Sequence, residues 1–220
     1  MKRTSLIHTL NRNLSCVAIL VLAWQANAVN AEEAPQHTTP KAKSQDQYFI
    51  GSSASMLANL STNRSPNYYQ LDVGYKLNAK ESIIVSASTF RYFAPLGIPF
   101  GPSHGVASED YPGSVKAYGV GIGYQRFVTE QVFTSVHAMA LRQSYRDTAN
   151  NEIQKGAQLL LDAKLGYHME FFDKKFYLEP TLGVLYWPLN TNVPASFAAR
   201  ENKWKNYFLF DPSINFGMNF

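Results

Sequence analysis

The chain has 220 residues, with 20 Lys and Arg against 16 Asp and Glu, one Cys and 14% aromatic residues. Lys2, Arg3 and Arg12 hold three of those cations in a segment without acids, so 17 basic residues face 16 acidic ones after residue 31. That balance removes any charge-based case for a nucleic-acid partner, and with Cys16 inside the same segment the rest has no disulfide framework, thiol nucleophile or Cys-based metal site.

Residues 1–31 follow the order of a secretory signal peptide: basic residues, an apolar run from Cys16 to Trp24, then small residues in QANAVNA. Cleavage after Ala28 or Ala31 fits the small-x-small rule, and Ala31 is the preferred site. The alternative, a transmembrane anchor, needs ~20 apolar residues, about twice what the run offers. A lipid-modified Cys16 is excluded because the apolar run follows it. Residues 32–45, polar with two prolines, read as a disordered lead-in. Roughly 190 residues remain, enough for one domain, with no apolar run long enough for a spanning helix.

The pattern from residue 46 onward is all-β. The first strand is expected at Tyr48–Leu57, with small residues on both faces. In the second, Tyr69, Leu71, Val73, Tyr75 and Leu77 alternate with Gln70, Asp72, Gly74 and Lys76, the period of a strand with unlike faces. A short NAKE turn leads to Ser82–Tyr92, whose register the sequence does not fix, and a Gly- and Pro-rich segment follows from Phe93 to Gly113. The fourth strand, Val115–Phe127, sets Tyr118, Val120, Ile122 and Tyr124 against Gly119, Gly121, Gly123 and Gln125. Strictly alternating glycines suit a narrow interior where an opposing side chain needs room. GVGIGYQ is no dinucleotide fingerprint, because no helix follows and the partner acid is absent.

A strand at Val132–Tyr145 is again ambiguous in face, and RDTANNEIQKG reads as a loop. The sixth strand, Gln158–Phe171, puts Asp162, Lys164, Gly166, His168 and Glu170 on one face. FDKK forms a short turn. The seventh strand, Phe176–Trp187, faces Phe176, Leu178, Pro180, Leu182, Val184 and Tyr186 one way. After PLNTNVPASFAARENKWK the last strand, Tyr207–Phe220, alternates from Phe208: Phe208, Phe210, Pro212, Ile214, Phe216, Met218 and Phe220 against Leu209, Asp211, Ser213, Asn215, Gly217 and Asn219. Pro180 and Pro212 inside strands predict a bulge or bend on two neighbours.

Eight strands result, with connections alternating long and short. Aromatic residues collect at strand ends: Tyr69, Tyr92, Tyr118, Tyr186, Trp187 and Phe208 at one rim, Tyr75, Phe127, Phe171, Phe172, Phe176 and Phe220 at the other. This matches the even strand number, short periplasmic turns, longer outer loops and aromatic girdles of outer-membrane barrels. The alternating end with its final Phe resembles the C-terminal strand of Gram-negative outer-membrane β-barrels, carried by Ile214, Phe216, Met218 and Phe220. The whole pattern resembles the small eight-stranded family typified by OmpA, OmpX and OmpW. The resemblance implies an eight-stranded antiparallel up-and-down transmembrane β-barrel over residues 46–220 in the outer membrane. It also implies that the terminal strand is the signal read by the barrel-assembly machinery. Both termini are then periplasmic and all four long loops face outside.

Asp72, Asp162, Lys164, His168, Glu179 and Asp211 take the inward face, and counting back from the FDKK turn sets His168 opposite Glu179. Charges in so narrow an interior must be paired, which predicts a structural plug; a narrow proton or ion path is the alternative. Ser103, His104 and Asp110 lie in the second long loop with Glu109. The family's lipid A palmitoyltransferase and deacylase types use Ser, His and an acid near the outer leaflet. That chemistry needs a base within reach of the Ser and an acid orienting the base, which adjacency of Ser103 and His104 does not deliver. The histidines at 37, 104, 137 and 168 have no ligand spacing, so no metal is expected. Asn190, Asn192, Arg200, Lys203 and Trp204 in the fourth loop suit either recognition of an extracellular partner or contact with lipopolysaccharide. The reading is a monomeric, non-enzymatic surface or membrane-supporting protein without cofactor. Its rivals are a narrow OmpW-like channel and a lipid A-modifying enzyme.

Overall fold

The structure, a computed structural model, describes residues 47–61 and 64–220. The expected signal peptide at 1–31 and lead-in at 32–45 lie outside the described residues.

Among the described residues nine antiparallel strands form one closed sheet: β1 (Tyr48–Ser53), β2 (Tyr69–Lys76), β3 (Glu81–Tyr92), β4 (Ser114–Phe127), β5 (Val132–Arg146), β6 (Glu152–Tyr167), β7 (Met169–Phe171), β8 (Phe176–Asn190) and β9 (Tyr207–Asn219). Sequence neighbours pair, except that β6 and β7 do not pair with each other, and β1 pairs with β9 from Phe49↔Asn219 to Ser53↔Asn215, which closes the ring. Two backbone bonds between Tyr48 and Phe220, 2.9 and 3.0 Å, finish that seam. β6 and β7 both pair with β8 in one register, so they are one stave broken at His168, and the barrel has eight staves.

Alternation decides which side chains go where. Ile50, Val73, Val85, Ile122, Ala138, Leu161 and Tyr186 lie side by side across seven staves, and Met218 continues the row on β9. All are apolar or aromatic, and they face away from the interior. The opposite parity fills the inside, where Ser86, Gln125, Phe133, Ser135, Gln143 and Glu179 are buried. The two undecided registers are thereby fixed: β3 turns Ser82, Ile84 and Ser86 inward, and β5 turns Phe133, Ser135, His137, Met139, Leu141 and Gln143 inward. The β4 glycines do make room. A Cβ on Gly123 would run into the His137 ring, and one on Gly119 or Gly121 would meet the β5 backbone.

Several expectations need correction. β1 stops at Ser53, because Ala54–Leu60 winds into a 3₁₀ segment whose first turn is capped by the Ser53 hydroxyl accepting from Ser55 N–H (3.2 Å). Beyond that point Asn59 stands in for a strand, donating to Tyr68 O and accepting from Tyr68 N–H, each at 2.7 Å. EIQKG is strand, not loop: β5 and β6 run on to Arg146 and Glu152, leaving only residues 147–151 between them. The third outer connection is therefore short. Tyr92, Trp187 and Phe127 do not serve a girdle. Tyr92 packs in an interior cluster, Phe127 rests on Phe133 and His168, and Trp187 is 3% exposed.

Neither proline sits in a bulge. Pro180 pairs with Ile214 on one side and looks across at the break at His168 on the other, where the ladder passes from Gly166↔Thr181 to Met169↔Leu178. The residue opposite Pro180 in that register is Tyr167, and the amide of His168 points to the other side, donating to Gln131 O (2.7 Å). Pro212 pairs with Leu182, and on its other side β1 has already ended. Each missing donor thus falls where the neighbouring ladder is interrupted, which is how a closed sheet tolerates proline. The register shifts lie farther along, between Gly183 and Leu185 against β9, and between Leu159 and Leu161 against β8. The first breaks the alternation expected of the last strand: Leu209 and Phe210 are both exposed, 67% and 55%.

Candidate functional site

Two regions collect the residues that could act: the interior and the loop end. In the interior, Asp72 accepts from Gln70 Nε2 (2.7 Å) and from Ser86 Oγ (2.6 Å). Lys164 lies 2.9 Å from Asp162. Gly183, between Lys164 on β6 and Asp211 on β9, lets the lysine stem lie across β8, since a Cβ there would meet Lys164 Cγ. His168 Nδ1 lies 2.7 Å from Glu179 Oε1, which also accepts from Gln125 Nε2 (3.1 Å). The inward acids are thus spread over several stave pairs, each with a donor or cation nearby. This lowers the cost of burying them, several kcal/mol for each unpaired ion.

Above and below this polar middle lie aromatic clusters. At the turn end, Phe49 packs edge-on to Tyr177 (5.8 Å), Tyr177 stacks on His168 (5.4 Å), and His168 meets Phe127 (5.3 Å). Gly74 is required there, because a Cβ would enter the Phe49 ring. At the loop end the fourth loop folds a short helix, α1 (Ala195–Glu201), that drops Phe197 into the mouth at 0% exposure. Phe197 packs against Tyr111 (4.8 Å) and Tyr145 (5.4 Å), with Val115 and Tyr92 around them. A polar chain seals the same level: Tyr92, Gln143, Tyr145, Asn190, Glu201 and Tyr111 are joined in sequence by hydrogen bonds. Burial, with the Glu201 carboxylate alongside, pushes the Tyr111 hydroxyl far above its usual range, so it stays a donor.

Of the second-loop residues considered for chemistry, His104 and Asp110 are engaged with other partners. Asp110 accepts from Arg64 Nη1 (2.6 Å). The His104 ring lies against Phe100, 5.0 Å between centroids, and its backbone amide bonds Gly101 O. Ser103 lies in the same turn as His104, and no hydrogen bond links the two side chains among the described residues. Glu109 instead clasps the fourth loop, accepting from Lys203 Nζ and from Trp204 Nε1 (3.2 Å for the latter). The terminal-strand residues Ile214, Phe216 and Phe220 are exposed on the outer wall at 46%, 39% and 55%. No group of three or more metal-ligating side chains exists among the described residues.

Gln125, His137, Gln143 and Phe197 belong to the interior or its seals, and sequence reasoning did not nominate any of them for a site. His137 and Gln143 sit on the strand of undecided register. The one cue to Phe197 is an isolated aromatic residue in a polar loop.

No protein-family model and no curated protein matches the chain. Among solved structures it is similar to Ail, the attachment invasion locus protein of Yersinia pestis, determined in complex with the heparin analogue sucrose octasulfate. Identity is 13%, covering 79% of this chain and 94% of that one, with a TM-score of 0.40. It is also similar to the N-terminal β-barrel domain of OprF from Pseudomonas aeruginosa, at 16% identity, 80% and 98% coverage, and a TM-score of 0.36.

Proposed function

We propose that the chain is an outer-membrane β-barrel of a Gram-negative cell, exported through a cleaved signal peptide, that acts without enzymatic chemistry by supporting the membrane and presenting its loops outside. The observation that carries this reading is the continuous apolar row around all eight staves. No second sheet covers it among the described residues, and water would be a poor neighbour for so much apolar surface. Its height fits as well. On the outward face of β4, only Tyr124, Ile122, Val120 and Tyr118 lie between Arg126 and Lys116. At ~3.4 Å per residue and ~40° of tilt that interval rises ~26 Å, close to the ~25 Å apolar band of such barrels.

The partners follow from position: lipid and lipopolysaccharide around the wall, the barrel-assembly machinery on the exposed end of β9, and an extracellular partner at the loops. The two aromatic seals argue against the channel reading, and the pairing of Asp110 with Arg64 and of the His104 ring with Phe100 argues against the lipid A enzyme.

Fractionation of cells expressing the full chain tests the placement. The processed chain is expected in the outer-membrane fraction, migrating on gels in a heat-modifiable folded form. Recovery as a soluble periplasmic monomer overturns the proposal. In planar bilayers it should give no single-channel steps, and reproducible steps would establish the channel instead. Lipid A from cells with and without the gene should have the same acyl pattern in mass spectra.

A further inference from the structure

On one side of the barrel the outward face changes abruptly above the apolar row. Moving toward the loop end, Ala87, Val120, Ala140 and Leu159 form a second apolar row, and Thr89, Tyr118, Arg142 and Ala157 lie above it in a row that holds the first cation. The next row is Arg91, Lys116, Ser144 and Lys155, and above it Ser114, Arg146 and Glu152. Five cations and one carboxylate thus crowd onto four adjacent strands. Arg91 and Lys116 are direct cross-strand partners, an arrangement that like charges destabilise.

Their internal partners are too few. Glu152 takes up Lys155 at 3.0 Å and also accepts from Ser144 Oγ. Arg91 donates Nε to Ser114 Oγ (3.0 Å) and Nη2 to Asn150 Oδ1 (3.4 Å), and lies over the Phe93 ring (4.9 Å), all neutral partners. Arg146 gives Nη1 to Asn150 O (2.9 Å), while its Nε has no acceptor. Lys116 and Arg142 have neither an acid nor a hydrogen-bond partner among the described residues. Elsewhere at the loop end two cations do have acids, Arg64 paired with Asp110 and Lys203 with Glu109, while Arg200 Nε, like Arg146 Nε, has no acceptor. A cavity of about 320 Å³ opens within the strip, bordered by Lys116, Tyr118, Arg142, Arg146, Glu152 and Lys155.

We propose that this strip binds the phosphate group of a phosphorylated glycolipid in the surrounding outer leaflet. The inference rests on the membrane reading above and specifies one contact within it. Three observations favour a lipid over a soluble polyanion. The cations project from the flank of the wall, not from loop tips. They begin where the apolar band ends, at the height of a headgroup. Directly beneath them Val120, Ala140 and Leu159 offer a smooth surface for acyl chains. A phosphate there would answer several guanidinium and ammonium groups at once by charge-assisted hydrogen bonds, and relieve the repulsion between Arg91 and Lys116.

The test uses the folded mature barrel in detergent, observed by native mass spectrometry while titrated with bisphosphorylated lipid A, with the same lipid after removal of its phosphates, or with inorganic phosphate. Bisphosphorylated lipid A should be retained at about tenfold lower concentration than the dephosphorylated form. The double variant Lys116→Gln/Arg142→Gln should remove most of that preference, and Lys155→Gln part of it. Lys80→Gln, at the opposite end, should change nothing. Heat-modifiable migration confirms that each variant is folded. Equal retention of both lipids, or a preference that survives the double variant, overturns the site while leaving the membrane reading intact. Inorganic phosphate competing as well as the lipid would make this a free-anion site and overturn the lipid proposal. A wild-type chain that fails to insert into vesicles removes the membrane reading and the site together.

Discussion

The wall from β3 to β6 and the wall from β8 through β9 to β1 are built differently. The first is long and regular: β4 pairs with β5 over fourteen consecutive residues without a shift. The second holds both in-strand prolines, the break at His168, two register shifts and the shortest full stave, β1. The difference follows from what each side must do. The regular side presents continuous rows, apolar below and cationic above, with one register shift at its loop end, between Tyr145 and Arg146. The irregular side carries the seam, where chain ends meet and where the fourth loop must fold back to lower Phe197 into the mouth.

If that contrast is right, the regular wall should tolerate least. Ile122→Arg, in the middle of the apolar row, should lower unfolding free energy in vesicles by ~2–4 kcal/mol, the range for a cation at the bilayer midplane. Urea titration with the folded and unfolded gel bands as readout measures it. An effect below ~0.5 kcal/mol would mean that the row does not meet hydrocarbon. Gly123→Val comes next. The new side chain would contest the space of the His137 ring, an overpacking change worth ~1–3 kcal/mol, and a compensating His137→Ala in the same chain should recover part of the loss. Independent, additive effects would show that the two do not share that space. Prolines give the smallest and most direct comparison. Pro180→Ala should shift stability by no more than ~1 kcal/mol, since the position opposite is already unpaired. Ala138→Pro, paired on both sides, should cost more than that. Equal penalties would erase the distinction between the walls.

The sequence was most readable where lipid and interior demand opposite side chains. β2, β4, β6 and β8 have clean alternation, and their outward faces follow from it directly. His168 and Glu179 could be matched because the four-residue turn at 172–175 fixes the register of the strands around it. Reading failed where that contrast is weak. SIIVSAS and SVHAMAL put small or apolar residues on both faces, so Ser86, His137 and Gln143 could not be assigned inward. EIQKG lies beyond the apolar band, where neither face needs to be greasy, and a strand there looks like a loop. ASMLANL has no period of two because it is not a strand. The cationic strip went unseen for related reasons: Arg142 sits on an undecided strand, Arg146 and Lys155 in a supposed loop. The alternation of the last strand was legible from Asp211 onward but not at Leu209 and Phe210, since the shift is set by pairing with β8.

The two walls are tied across the mouth by Glu109, in the loop after β3, and Lys203, in the loop before β9, and that clasp should respond to pH. The Lys203 ammonium holds the Glu109 carboxyl below its usual range, with Trp204 Nε1–H adding to the effect. A carboxylate with a lower pKa in the closed form stabilises that form fully above its unperturbed value, ~4.3 for Glu. The stabilisation fades as pH falls through the depressed one. The clasp should therefore hold unchanged from neutrality to about pH 5 and release only in more acid solution. The indole N–H resonance of Trp204, followed by NMR on the barrel in detergent, reports it. Its titration midpoint should lie below that of an ordinary Glu and vanish in Glu109→Gln. A midpoint at or above the ordinary value would mean that Lys203 does not engage the carboxylate in solution, and that the fourth loop is held over the mouth by Phe197 and its aromatic neighbours alone.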